Sequence, residues 1–369
     1  MKKELPSGWQ EKKLIDFSPL QRGFDLPNSK IINGEYPIVY SNGIKAYHNE
    51  YKCKGVGVVT GRSGTIGKVT YVEKDYWPHN TSLWVTDFKG NLPKFVFYLL
   101  SYIDLSKYDA GTSVPTLNRN DVHKITVLVP PLDEQKRIAE ILSTFDDLIE
   151  NLKKLIEKKE IYKKGVMQRV LSGKVRFNGF KDEWETVKLK DILIAGSKDR
   201  VPDTSKYKKI TIKLHNKGIE FSNIERKMAD KRPFYIRKKD EIIIGKQNYF
   251  NGSIAIVDEE FDNTICSNAI MSFTVNEDCN NKFIYFLLSR KSYMQKYYHL
   301  ANGTGQKELS ESDFLNFNLL IPRLEEQNKI AELLTLIDKD IDNLKKMLQL
   351  RKLQKKGVMQ KLLTGEVRV

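Results

Sequence analysis

The chain has 369 residues, a formal net charge of +15, and 40% apolar residues, enough for about two ordinary domains with connectors and too apolar for wholesale disorder. A balance this basic, with a pI near 9.4, favours a polyanionic partner, nucleic acid ahead of an anionic membrane. The opening MKKELPSGWQ lacks the apolar run of a signal peptide, no stretch of about 18 apolar residues could span a bilayer, and Cys53, Cys266 and Cys279 are not spaced as metal ligands or as a disulfide framework, so a reducing, cytoplasmic protein is expected.

Residues 1–129 open on Trp9, with Leu14 five residues on. Their centre, GVGVVTGRSGTIGKVTYV at 55–72, is β-branched and punctuated by glycine, which predicts strands and tight turns. KFVFYLLS at 94–101 is an aromatic, apolar segment of helical length, and a Gly-Thr loop, GTSVPTLNRNDV, follows at 111–122.

Residues 130–177 predict a first helical spacer. Pro131 and Asp133 suit its start, and Ile138, Ile141, Phe145, Leu148, Leu152 and Leu155 fall at three-four spacing on one stripe. Lys159 interrupts that stripe. Gly165 predicts a break before a last short helical piece, and Gly173 suits a stop. The lysines Lys153, Lys154, Lys163 and Lys164 read as a solvated face.

Residues 178–320 repeat the skeleton of the first region: Trp184 with Leu189, DEIIIGKQNYFNGSIAIV at 240–257, KFIYFLLS at 282–289 and GTGQKELSESDF at 303–314. Residues 321–369 then predict a second helical spacer. Its stripe is Ile330, Leu333, Ile337, Leu344 and Met347, interrupted by Asp340 and Arg351, with Gly357 as a break and Gly365 as a stop.

The two spacers are nearly the same text. VPPLDEQKRIAEILSTFDDLIENLKKLIEKKEIYKKGVMQRVLSGKVRF aligns without a gap with IPRLEEQNKIAELLTLIDKDIDNLKKMLQLRKLQKKGVMQKLLTGEVRV, at an offset of 192 from Pro130 to Pro322 and again from Gly165 to Gly357. A period this long marks a duplicated domain with its connector, because solenoid units repeat every roughly 20–50 residues. Some 30 helical residues span roughly 45 Å, comparable with the roughly 34–36 Å between DNA half-sites one turn apart. The expected fold is α+β. Two similar mixed α/β domains are separated by two long, antiparallel, coiled-coil-like helices with pseudo-twofold symmetry. Packing of each helix on its own domain stays open as the alternative.

Catalytic patterns do not converge. GRSGTIGKV at 61–69 resembles a phosphate-binding loop, but five residues separate Gly61 from Gly67 and Val69 stands where a magnesium-binding hydroxyl belongs. Asp203 and Glu225 could be taken for a nuclease carboxylate pair holding Mg²⁺, yet they have no counterpart in the first half. There is no glycine-rich strand-turn-helix for S-adenosylmethionine, and His48, His79, His123, His215 and His299 are scattered. A binding protein remains. The side chains able to read base edges or phosphates are, in the first half, Ser41, Asn42, Arg62, Ser63, Thr65, Lys68, Asn80, Thr112, Asn118 and Arg119. In the second half they are Lys213, Asn216, Lys246, Gln247, Asn248, Tyr249, Ser253, Asn268, Thr304, Gln306 and Lys307.

The chain resembles the specificity subunit of type I restriction-modification systems. The resemblance is carried by two copies of KKGVMQ-x-x-L-x-G-x-V-R (163–176 and 355–368), by two P-x-L-x-EQ-x-x-IAE starts (130–140 and 322–332), by the Gly-Thr loops and by GTIGKV. It implies two target recognition domains, each reading one half of a split site on double-stranded DNA. It further implies helices that set the spacer and dock two modification subunits, with restriction subunits joining them. S-adenosylmethionine, ATP and Mg would belong to those partners, no cofactor or metal to this chain, and no membrane would be involved. A nuclease with its own Mg site near Asp203 and Glu225, or a coiled-coil adaptor that binds no DNA, are the alternatives.

Overall fold

A computed structural model of the chain describes residues 5–109, 111, 114–222, 232–300 and 308–369. Its contacts divide into two units, Met1–Leu155 with Leu344–Val369, and Ile156–Asn343.

The first unit runs β1 (Gln10–Lys13), α1 (Leu14–Phe17), β2 (Leu20–Arg22), β3 (Tyr36–Tyr40), β4 (Gly43–His48), β5 (Gly57–Gly61), β6 (Val69–Val72), β7 (Trp77–Pro78), β8 (Ser82–Val85), α2 (Pro93–Tyr102), α3 (Arg119–His123) and β9 (Thr126–Val129), and enters α4 (Leu132–Val170). One sheet has the order β2-β8-β5-β6, a second β4-β3-β7, and β1 pairs with β9 just before the long helix. The glycine-punctuated segment is thus an antiparallel β5–β6 hairpin, with no helix N-terminus to cradle a phosphate. Strand β5 is buried throughout because both its faces are covered. Val58 packs with Phe95 and Leu99 of α2, and Val59 with Val39 and Tyr76 on the other side. Helix α2 is the expected aromatic helix, with Pro93 at its start.

The second unit continues α4 and holds β10 (Glu185–Lys188), α5 (Leu189–Ile192), β11 (Leu193–Ala195), β12 (Ile210–Ile212), β13 (Ile219–Phe221), β14 (Phe234–Arg237), β15 (Ile242–Gly245), β16 (Ile254–Ile256), β17 (Thr264–Ser267), β18 (Ile270–Val275), α6 (Asn281–Leu288), α7 (Lys291–Tyr297), α8 (Glu311–Leu315) and β19 (Asn318–Ile321), then enters α9 (Leu324–Leu363). The sheet order β11-β18-β15-β16 repeats that of the first unit, and β10 pairs with β19 as β1 does with β9. Burial on both faces recurs in β15, where Ile242 and Ile244 face one core and Ile243 another. Additional two-stranded sheets, β12–β13 and β14–β17, distinguish this unit from the first.

The spacer helices are longer than expected. They run 39 and 40 residues without interruption, about 58–60 Å each at 1.5 Å per residue. Gly165 and Gly357 do not break them. Both lie on an exposed face, where a glycine weakens a helix by only about 1 kcal/mol. The stops do come where Gly173 (φ 70) and Gly365 (φ 67) reverse the chain.

The seam keeps Ile138, Phe145 and Leu152 of the expected stripe but takes the next residue at each position between and after them. Leu148 and Leu155 are 44% and 41% exposed, whereas Ile149 and Ile156 are 9% and 8%. In the first unit the less exposed positions are Ile138, Leu142, Phe145, Ile149 and Leu152 on one helix and Leu344, Leu348, Lys355, Val358 and Leu362 on the other, a heptad pattern. In the second they are Ile156, Lys159, Lys163, Val166 and Val170, with Ile330, Leu334, Ile337 and Ile341. The polar interruptions answer one another. Lys159 Nζ lies 2.6 Å from Asp340, and Lys163 pairs with Asp338. In the first unit, Asp146 accepts from Lys355 at 2.5 Å and from the Tyr98 hydroxyl at 2.8 Å.

Within each unit the helices run antiparallel, closed by a latch made from both copies of the repeat. Arg368 donates Nε and Nη2 to Glu134 at 3.2 and 2.8 Å, and Trp9 Nε1 adds a third bond at 3.0 Å. In the second unit, Arg176 donates to Glu326 at 2.9 and 2.6 Å. Next to each glutamate a buried glutamine ties the helix start to the domain. Gln135 accepts from the Leu92 amide and donates to Asn91 and to the Pro130 carbonyl, and Gln327 accepts from the Asn280 amide and donates to the Pro322 carbonyl.

Burial opposes ionisation of Glu134, but the hydrogen bonds from Arg368 and Trp9 outweigh it and hold the carboxyl below its ordinary value. With the folded value depressed, the latch contributes fully above the unfolded value of about 4.3 and fades as pH falls through the folded one. Glu134→Gln should cost about 1–3 kcal/mol at neutral pH, since Arg368 stays partly solvated. That difference in urea unfolding of the whole chain should shrink steadily below about pH 4.3.

Candidate nucleic-acid interface

In the first unit, loops at the ends of the two sheets bring together the described candidates of that half. The β3–β4 turn supplies Ser41 and Asn42, the β5–β6 loop supplies Arg62, Ser63, Thr65 and Lys68, and the β7–β8 loop supplies Asn80. Lys68 Nζ donates to the Asn42 carbonyl at 2.6 Å, joining two of these loops. Arg62 donates to the Asn80 carbonyl at 3.4 Å, and the Ser41 amide donates to Thr81 Oγ1 at 3.3 Å. The end of the Gly-Thr loop joins them through the Gly64 amide on the Pro115 carbonyl at 3.0 Å. Asn118 then caps α3 by accepting from the Asn120 amide, with exposed Arg119 beside it. Thr112 lies outside the described residues.

Sequence reading missed Arg22 and Asp25, in the loop after β2. Arg22 pairs with Asp25 at 2.8 Å, and Asn80 donates to the same carboxylate. It also missed His79, whose ring lies 4.4 Å from that of Tyr40 and donates to or accepts from Thr81 Oγ1 at 3.0 Å. Burial holds this imidazole below its usual range, which makes it neutral at pH 7. The only signal in the sequence is a polar residue just past a strand end.

In the second unit, Lys246, Gln247 and Asn248 line the β15–β16 loop and Asn268 the β17–β18 turn. Lys213 and Asn216 sit at the β12–β13 turn. There His215 and Asn216 take positive φ of 62 and 55, and Asn216 ties the turn down by donating to the Ser289 carbonyl at 3.0 Å. Two candidates are placed elsewhere than expected. Tyr249 is fully buried, its ring against Phe314 and its hydroxyl on the Leu288 carbonyl at 2.9 Å. Ser253 is 4% exposed beneath the same turn. Both hold the loop from below, because a glycine turn at Gly252 (φ 76) folds the chain back under it. Thr304, Gln306 and Lys307 lie outside the described residues.

The two rims share one backbone frame. The Arg62 amide donates to the Thr81 carbonyl at 2.9 Å, and the Leu117 amide donates to the Arg62 carbonyl at 2.8 Å. In the second unit the Lys246 amide donates to the Ala269 carbonyl at 3.0 Å, and the Leu309 amide to the Lys246 carbonyl at 2.9 Å. Leu117 and Leu309 are themselves separated by the repeat offset of 192.

The carboxylate proposed for Mg²⁺ is used locally. Asp203 accepts from the Ser205 amide at 3.0 Å and from its hydroxyl at 2.6 Å, which lowers its pKa; Glu225 lies outside the described residues. Among the described residues no cluster of His, Cys, Asp or Glu could hold a metal ion, and no helix is long and apolar enough to cross a membrane.

A mixed α/β domain built twice, each copy closed by an antiparallel helix pair, defines a duplicated domain-and-spacer protein. The chain belongs to the family of type I restriction-modification DNA specificity domains, whose model matches residues 6–160 and 181–352. It is 28% identical to the MjaVIII specificity subunit of Methanocaldococcus jannaschii, over 74% of this chain and 70% of that one. It is 26% identical to the MjaIX specificity subunit of the same organism, over 99% and 95%. Its fold is similar to that of the S subunit of a type I restriction-modification system from M. genitalium, with a TM-score of 0.64, 18% identity and 98% of each chain covered. The chain is thus a type I restriction-modification specificity subunit with two target recognition domains.

A Cβ on Gly61 would lie 1.9 Å from the Thr65 carbonyl oxygen and 2.6 Å from that of Ser41. Gly61→Ala should therefore push the first rim's loops apart and lower stability by about 1–3 kcal/mol in thermal or urea unfolding. Tyr249→Phe should cost about 1 kcal/mol for the lost hydrogen bond and leave DNA affinity unchanged in a titration, as befits a residue that supports the loop from the core.

Proposed function

We propose that each polar rim reads one half of a bipartite, asymmetric site on double-stranded DNA, and that the paired helices set the spacer between the halves. What carries this reading is the construction of the rims: one backbone frame occurs twice, and unlike side chains stand on it. Ser63, Gly64 and Thr65 follow Arg62 in one unit, and Gln247 and Asn248 follow Lys246 in the other. A shared frame with divergent side chains suits two readers of different words, and the net charge of +15 suits a polyphosphate partner.

The chain itself is non-catalytic in this reading, works in the cytoplasm and carries no cofactor. Two modification subunits would bring S-adenosylmethionine, and restriction subunits ATP and Mg. A second row of apolar side chains on the helices supports docking there. Leu148, Leu155, Met347, Leu350 and Leu353 in the first unit, and Ile161, Tyr162 and Leu336 in the second, are left exposed, and a docked partner would take them out of water.

Duplex affinity of the chain should fall steeply with salt, roughly a thousandfold or more between 50 and 200 mM if about six or more phosphates are contacted. Replacing residues 178–320 by the matching domain of a relative should change one half of the methylated motif, read by sequencing of modified adenines, and leave the other half alone. A change in both halves would refute two independent readers.

A further inference from the structure

Arg62 and Lys246 occupy the same point of the two frames. Each donates its amide across to the residue just before a neighbouring strand, and each accepts at its carbonyl from a leucine of the Gly-Thr loop. Each follows a glycine whose Cβ would crowd a neighbour, 1.9 Å from the Thr65 carbonyl oxygen at Gly61 and 2.4 Å from the movable Ser253 Oγ at Gly245. The backbone is therefore held on both sides, and the direction in which the side chain leaves it is set. Both side chains are half-buried, a condition that orders the aliphatic stem while the charged head reaches outward. Close by, Asn80 and Asn268 follow the same pattern, each one residue before the carbonyl that receives the cation's amide.

We propose that Arg62 and Lys246 are equivalent phosphate anchors, one per recognition domain, which set each rim's register on the duplex while the residues beyond them in the same loops read bases. This rests on the DNA-reading function proposed above. The charge is kept between the two positions and the geometry of the charged group is not. A planar guanidinium and a compact ammonium are poor substitutes where a base edge is bound by two parallel hydrogen bonds, but either serves opposite a phosphate. Arg62 spends one donor on the Asn80 carbonyl, and the remaining donors of the fork stay available for phosphate oxygens. The positions that follow differ in size and hydrogen-bonding pattern, Ser63 and Thr65 against Gln247 and Asn248, which places sequence discrimination there.

The test uses the full chain with a duplex carrying its own methylated motif, an unrelated duplex of equal length, and a salt titration of each. Arg62→Gln and Lys246→Gln, which keep stem length and remove charge, should weaken both duplexes by a similar factor of roughly ten and make the salt slope shallower by about one. Arg62→Lys and Lys246→Arg should restore affinity and slope, and the complex carrying them should methylate the unchanged motif. Ser63→Ala and Gln247→Ala should relax the motif in one half each and leave the slope alone. Loss of motif fidelity in Arg62→Lys or Lys246→Arg would overturn the assignment in favour of base reading. Wild-type affinity and slope in both glutamine variants would overturn it by removing the phosphate. If the unaltered chain bound neither duplex, the DNA-reading function would fall first, and this control separates the two failures.

Discussion

The structure depends on an exchange between the two copies of its repeat. The glutamate that opens the first helix is held by the arginine that follows the second, and the glutamate that opens the second is held by the arginine that follows the first. Each pair is bidentate and charge-assisted, with its carboxylate buried. Because one partner of each latch comes from each copy, neither copy can satisfy its own helix start in this arrangement. The antiparallel pairing within each unit follows from that requirement as much as from the apolar seam.

The glutamines beside the latches carry the constraint into the recognition domains. Gln135 and Gln327 sit in the first turn of their helices and hydrogen-bond the backbone that leads into α2 and α6. The domain is thereby oriented on the helix through a buried side chain instead of a flexible linker. The glutamate and glutamine adjacent in sequence thus divide two tasks, one facing the partner helix and one facing the domain.

Much of this was legible in advance, and the exceptions have physical reasons. Duplication, helix starts and the aromatic helices could be read because caps, prolines and long apolar runs are local signals. Ile138, Phe145 and Leu152 of the seam were placed correctly, and the alternate positions were placed one residue off because apolar residues come there in adjacent pairs, Ile141 with Leu142, Leu148 with Ile149, Leu155 with Ile156. A three-four pattern can be drawn through either member, and burial alone decides. Lys159 and Asp340 looked like two defects, since their pairing joins residues 181 apart in the chain. Tyr249 looked like a surface aromatic because a loop of Lys, Gln and Asn surrounds it. Only the positive φ at Gly252, which turns the chain beneath itself, puts its ring in the core. Arg22 and Asp25 carried no pattern of their own and became visible only as neighbours of Asn80.

The composition of the first unit has a consequence for biosynthesis. Its cluster of contacts takes in residues 344–369, so this domain lacks the stretch of helix that covers its seam until residues 156–343 have been added behind it. At roughly 5–20 residues per second, the nascent domain would spend on the order of ten seconds or more with Ile138, Leu142 and Glu134 uncovered. Closure of that seam is thus an event that comes late, after the second recognition domain has been made.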